Sequence, residues 1–291
     1  MDTKDIMALA MELAGLSGEA IPGDSSIYHP AHAVKDVLVG VDIGPAELLL
    51  ACDLGVDLAL AHHPMGGQAR LRFHEVLWRH ADQMISHGVP EAEARRIVAP
   101  WAERQRIEAS MHNVDHAPSV AKLLGLGYMN IHTPLDEIGR QRMMDAVSEA
   151  GENISAETLA GLLTERFGEF RNAATMIEVR LGDPGRPIGR TVVSHGAGTN
   201  GGYSVAKAYF DHGIDTLIYI HCRPEDVLKL KEAYGDRKTL IVTGHIASDS
   251  LGINPFVQAL AKRGLRVRTF SGVVPSDPEG GSDLPNGEMV D

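Results

Sequence analysis

Residues 37–63 read VLVGVDIGPAELLLACDLGVDLALAHH, and residues 191–221 read TVVSHGAGTNGGYSVAKAYFDHGIDTLIYIH. Each is a short β-rich apolar run, a turn, an amphipathic helical stretch, a Gly-x-Asp turn and a second apolar run. The first ends at His62-His63 and the second at His221. Apolar runs without alternation suit parallel strands buried on both faces, and the stretches between them suit crossover helices. Gly55 and Gly213 stand where each helix would stop in left-handed geometry. The parallel continues downstream, where YMNIHTPLDEIGRQRMMDAV carries His132 and Asp136 and TLIVTGHIASDSLGINPFVQAL carries His245 and Asp249. The expected class is therefore α/β: two intertwined quasi-repeats, with mostly parallel or mixed sheets flanked by helices.

The repeats differ in length. The first holds about 45 extra residues between its second strand and its His-x-x-x-Asp element, as the comparison of spacings implies. They fall near 68–115, in RLRFHEVLWRHADQMISHG and VPEAEARRIVAPWAERQRIEASMH, which read as an inserted helical hairpin. Pro90 stands where its second helix would start, with Glu91 and Glu93 in the favourable first turn. We expect one repeat over 1–150, a second over 151–271, and a loose Pro/Gly/Asp-rich tail over 272–291. Ser155 is a candidate helix cap ahead of Leu159, Leu162 and Leu163.

Composition narrows the function. The chain has 291 residues, 44% apolar and 23% charged, which is a globular balance. A net charge of −12 argues against nucleic-acid or anionic-membrane partners. Two cysteines, Cys52 and Cys222, make no disulfide framework, so a cytoplasmic setting is expected. The first sixteen residues carry Asp2, Asp5 and Glu12 and read as an amphipathic helix, not a leader. The 14 histidines equal the Phe, Tyr and Trp residues together, so imidazole is the excess to explain.

His62-His63-Pro64 closes a predicted parallel strand, where ligands bind in open α/β sheets. Adjacent side chains on an extended strand point apart, so two neighbouring metals would accept both rings more easily than one. His132/Asp136 and His245/Asp249 each lie on one face of a first helical turn and could converge on that centre. The resulting nitrogen- and carboxylate-rich, thiolate-free shell suits Zn, Mn, Fe or Co. Either aspartate could instead be a helix N-cap. His112 and Asp115 form a competing ligand-like pair, read here as turn and cap, which leaves Asp115 an alternative to Asp136. His29 and His32 read as turn or surface residues, and His74, His80 and His87 as solvated faces of the insertion. Gly196-Ala-Gly198-Thr-Asn-Gly201 matches a dinucleotide fingerprint, but the acidic residue that should end the next strand is His221. Gly196, Gly198 and Gly201 are read instead as a turn that could bring backbone N–H groups to an anion.

With ALAHHP at 59–64, HTPLD at 132–136 and GHIASD at 244–249, after a glycine-rich stretch at 196–202, the chain resembles the Nif-three-like dinuclear-metal family. That family is also labelled GTP cyclohydrolase 1 type 2. The resemblance covers most of residues 1–270. It implies two intertwined α/β repeats, two divalent metal ions and a toroidal homohexamer. It implies ligand roles for His62, His63, Asp136, His245 and the carboxylate at 249. The family has glutamate at this last position, and Asp249 is one methylene shorter. His132 occupies a motif place that the family does not count as a ligand and is assigned to orient Asp136, with His221 a second such residue. The expected function is a dinuclear metal-dependent hydrolase acting on a nucleotide or phosphorylated small molecule through metal-activated water. The alternative is a hexameric metal-binding scaffold or regulatory partner without turnover.

Overall fold

The computed structural model describes residues 1–276. From the N-terminus run α1 (Thr3–Leu13), β1 (Ser26–His29), β2 (Asp36–Gly40), α2 (Pro45–Asp53) and β3 (Leu58–Ala61). The insertion contributes α3 (Gly67–Leu71), α4 (Phe73–Val76), α5 (Trp78–Ser86) and α6 (Glu91–Ala109). The first half closes with α7 (His116–Leu124), β4 (Gly127–Asn130) and α8 (Thr133–Ala150). The second half runs α9 (Ala156–Arg166), α10 (Gly168–Arg171), β5 (Glu178–Leu181), β6 (Thr191–Val193), α11 (Gly202–Asp211) and β7 (Thr216–Tyr219). It ends with α12 (Pro224–Tyr234), β8 (Thr239–Val242), α13 (His245–Lys262) and β9 (Arg266–Phe270).

Two mixed sheets result, ordered β1-β4-β3-β2-β9 and β5-β8-β7-β6. Without β9 the two orders correspond strand for strand. Each has an antiparallel edge strand, β1 on β4 or β5 on β8, and otherwise parallel neighbours. The turn before the second parallel strand is tied alike in both. Asp57 accepts from the backbone N–H of Lys35, and Asp215 from that of Arg190. β9 departs from the division at residue 150: it pairs in parallel with β2, so the end of the second unit completes the first sheet. Its arginines explain part of this choice, since Arg266 grips the Asp36 carboxylate at the start of β2 through two nitrogens.

Both faces of each sheet are covered, which is why the strands read as unbroken apolar runs. Val37, Val39, Leu58 and Leu60 pack towards α1 and α13, while Leu38, Ala59 and Ala61 pack towards α2 and α7. In the second sheet Val193, Ile218 and Ile241 face α8 and α9, and Leu217, Tyr219 and Leu240 face α11. The insertion belongs to that last layer. Leu77 just before α5, Ala81 and Met84 of α5 and Ala94, Val98 and Ala102 of α6 share one cluster with Val205 and Tyr209. A segment inserted in the first repeat thus covers the second. Its two main helices follow the expected hairpin, with Pro90 immediately before α6, and the short α3 and α4 lead into it.

The units meet where α8 crosses α13. Gly139 and Gly252 each stand three residues after the helix's aspartate, and a Cβ on Gly252 would lie 1.9 Å from the Leu135 carbonyl oxygen. Only glycine allows that approach, and the approach sets Asp136 beside Asp249. Pro255 lies inside α13 and has no N–H to offer the Leu251 carbonyl. Arg142 of α8 donates to that oxygen instead at 2.6 Å. The start of the expected loose tail is docked, because its backbone finds partners. Val274 N–H donates to Ser250 at 2.9 Å, and Asn172 donates to the Pro275 carbonyl at 3.0 Å. The rest of that tail, 277–291, lies outside the described residues. No helix among the described residues is long and apolar enough to cross a membrane.

Candidate metal centre

Every strand that leads into the site delivers a side chain just beyond its carboxyl end. His62 and His63 follow β3, and His132 caps α8 after β4. His195 follows β6, His221 follows β7, and His245 opens α13 after β8. With Asp136 and Asp249 they surround a pocket of about 300 Å³, except that His62 lies behind its wall. Asp136, Asp249, His62 and His195 are buried, and His63 is one-fifth exposed.

Hydrogen bonds settle which ring nitrogens face inward. His62 donates from Nδ1 to the Ile131 carbonyl at 3.0 Å, and His63 donates from Nδ1 to Asp42 at 2.9 Å. His132 donates from Nδ1 to Asp24 at 2.8 Å; Thr133 Oγ1 donates to the same carboxylate oxygen at 2.7 Å. All three thereby turn Nε2 towards the carboxylates. His62 Nε2 lies 3.1 Å from Asp136 Oδ1 and 3.8 Å from Asp249 Oδ1. His63 Nε2 and His245 Nε2 each lie 3.4 Å from Asp249 Oδ2. Neutral imidazole lone pairs aimed at carboxylate oxygens repel unless a cation or protons lie between them. His62 Nε2, Asp136 Oδ1, Asp249 Oδ2 and His195 Nε2 are buried without a hydrogen-bond partner. These groups could hold a metal ion, in overlapping sets: His62, His63 and His132; His63, His245 and Asp249; His62, Asp136 and Asp249.

The electrostatics agree. Burial opposes charge on Asp136, yet His195, His132 and His62 outweigh it and hold the carboxyl well below its usual range. Burial likewise opposes charge on His63, but hydrogen bonds to Asp249 and Asp42 push it up to about 10. His221 goes the other way: burial, then the nearby His245, push it down to about 4.

The structure brings together all five residues expected as ligands, His62, His63, Asp136, His245 and Asp249, and sets His132, expected to orient Asp136, beside them. Its Nε2 lies 3.8 Å from Asp136 Oδ2. Asp115 is elsewhere, exposed at the start of α7 with its N–H bonded to Asn113. Gly196 and Gly198 adopt positive φ in the loop after β6, while Gly201 caps α11 at ordinary φ. Four participants escaped the sequence reading. Asp24 and Asp42 orient His132 and His63, and His195 lies 3.5 Å from Asp136. His80, expected on a solvated face, is fully buried; its Nε2 donates to the Thr199 carbonyl at 2.9 Å and its ring lies against Trp101. Its neighbours Leu77, Ala81 and Met84 mark that helix face as apolar, which was the available signal.

Such a two-sheet α/β frame with a buried His/Asp cluster at its strand ends defines a metal-binding class of protein. The Duf34/NIF3 (NGG1p interacting factor 3) family matches residues 26–276, and the chain belongs to that family. It is 46% identical to a NIF3 superfamily protein from Sphaerobacter thermophilus, with a TM-score of 0.88 over 94% of this chain and 98% of that one. Reduced HcgD from Methanocaldococcus jannaschii shares the fold at 13% identity and a TM-score of 0.54, over 92% and 97% of the two chains. TTHA1606 from Thermus thermophilus does so at 14% identity and a TM-score of 0.50, again over 92% and 97%. No curated protein matches the chain.

Proposed function

We propose that the protein is a dinuclear metal-dependent hydrolase acting on a nucleotide or another phosphorylated small molecule. The observation that carries this reading is Asp249: its carboxylate belongs to two of the three donor sets, one reaching His63 and His245 and the other His62 and Asp136. A shared carboxylate between two donor sets is what a pair of adjacent ions requires. His132 stands beside Asp136, its Nε2 3.8 Å from Asp136 Oδ2. The nitrogen and oxygen donors, without thiolate, suit Zn, Fe, Mn or Co. When bound, such ions supply Lewis acidity and an acidified water. The chain's own contribution is to aim the imidazoles and fix which nitrogen of each faces the site. Asp24, Asp42 and the Ile131 carbonyl hold the three Nδ1–H groups, as outer partners of metal-binding histidines do.

Metal analysis of the purified chain under saturating metal tests this reading, followed by turnover assays on nucleotides and phosphoesters. We expect two ions per chain, lost in His63→Ala and His245→Ala. Fewer than two, or a content indifferent to those substitutions, overturns the dinuclear reading. Two ions without turnover would favour a metal-binding scaffold or regulatory partner. The assembly proposed with either role is a homohexamer, checked by light scattering, and a monomer would remove it.

A further inference from the structure

His221 is the repeat counterpart of His63: each is the sixth residue after the aspartate that ties its unit's turn, Asp215 or Asp57. The two rings are wired in opposite senses. Behind His63 stands the Asp42 carboxylate, which accepts from Nδ1 and turns Nε2 towards Asp249. Behind His221 stands an amide: Asn200 Nδ2 lies 2.7 Å from His221 Nδ1. That amide cannot be reversed without loss, because its Oδ1 already accepts the Gly202 N–H at 2.9 Å. An NH₂ group only donates, so His221 Nδ1 accepts and the ring proton of the neutral imidazole sits on Nε2.

A nitrogen that keeps its proton has no lone pair for a metal. Among the described residues, His221 Nε2 meets no protein acceptor. The ring stands on the wall shared by the metal pocket and an adjoining cleft of about 480 Å³. We infer that His221 is a neutral hydrogen-bond donor to a negatively charged substrate oxygen at the metal centre, and that Asn200 positions it by fixing its tautomer. This rests on the metal-centre reading above. The fold holds the pair firmly. His80 of the insertion donates to the Thr199 carbonyl, next to Asn200, and Tyr219 donates to the Gly202 carbonyl at 3.0 Å. A donor fixed before the substrate arrives needs no reorganisation as charge gathers on the oxygen. The quasi-repeat would thus divide labour between two related histidines, one offering a lone pair and the other a proton.

The test uses the zinc-loaded full chain with ¹⁵N-labelled histidine. Long-range ¹H–¹⁵N spectra, with His221 assigned by the loss of its signals in His221→Gln, should show a bare Nδ1 and a protonated Nε2. In Asn200→Asp the carboxylate should place the proton on Nδ1 instead, with zinc content unchanged. Inorganic phosphate and acetate, titrated separately by calorimetry, probe the charged oxygen. For at least one of them, affinity should fall about tenfold in His221→Ala, the scale of one lost hydrogen bond to a charged group. The inference is overturned by an Nδ1–H tautomer in the wild type, by a tautomer indifferent to Asn200→Asp, or by zinc loss in His221→Ala. Absent or equal binding of both anions in wild type and His221→Ala also overturns it. Zinc content of the wild type separately decides the metal-centre reading, because the tautomer is read whether or not two ions are found.

Discussion

Asp24 shows how much of the site depends on groups that would never touch a metal. Its carboxylate accepts from the His132 ring, from Thr133 Oγ1 and from Ser25, and it is fully buried. Asp24→Asn would present an amide where two donors now find an acceptor, so His132 would lose its fixed orientation. Metal affinity should fall by about 10- to 100-fold, measured by competition with a chelator. The protons of the site give a second expectation. His63 is pushed up to about 10 without metal, so at neutral pH an incoming ion must displace a proton from it. Metal affinity should therefore rise with pH between about 5 and 8, by up to tenfold per unit for each proton released. Calorimetry in buffers of different ionisation enthalpy counts those protons, and a pH-independent affinity would contradict the wiring described. The ligand pattern His-x-x-x-Asp was legible because it recurs in both repeats. Asp24 was not, because it lies in a loop before β1 and has no counterpart at a matched position. Asp42 was within reach, since it stands just beyond β2, at the same end of the sheet as His62.

Among the helices, the crossing of α8 and α13 and the docking of α5 carry most of the risk. Gly252→Ala would push a methyl into the Leu135 carbonyl. We expect a loss of about 3 kcal/mol, seen as a fall in Tm of roughly 5–10 °C, with metal content reduced as Asp136 and Asp249 separate. On α5, burial pushes His80 down to about 4 from its ordinary 6.5. The folded state therefore holds fewer protons there than the unfolded chain between those two values, and stability falls as pH drops from about 6.5 to 4. The full difference is about 3 kcal/mol. His80→Gln keeps a donor for Thr199 and should remove that part of the acid sensitivity in denaturant titrations at pH 7 and pH 4.5. The helix itself was legible as an amphipathic segment. Its placement on the second unit was not, because no local pattern says which of two apolar sheets a covering helix will choose.

For the molecule as a whole, the two sheets and their parallel strands followed from unbroken apolar runs and the repeat. β9 did not, since nothing in RVRTF says which sheet edge it joins. Its pairing with β2 gives the first sheet five strands and interlocks the units. Ligand linkage supplies the global test of the metal centre. An ion at a hundred times its Kd should add about 2.7 kcal/mol to stability, visible as a rise in Tm that a chelator reverses. The α8–α13 crossing has a further consequence. Both units supply donors, so an ion bound there would be a removable cross-link between segments far apart in the chain. Its effect would be felt in time as well as in equilibrium. With the ion in place the halves would have to let go of it before parting, and a protease would find the stripped protein open sooner and more often than the loaded one.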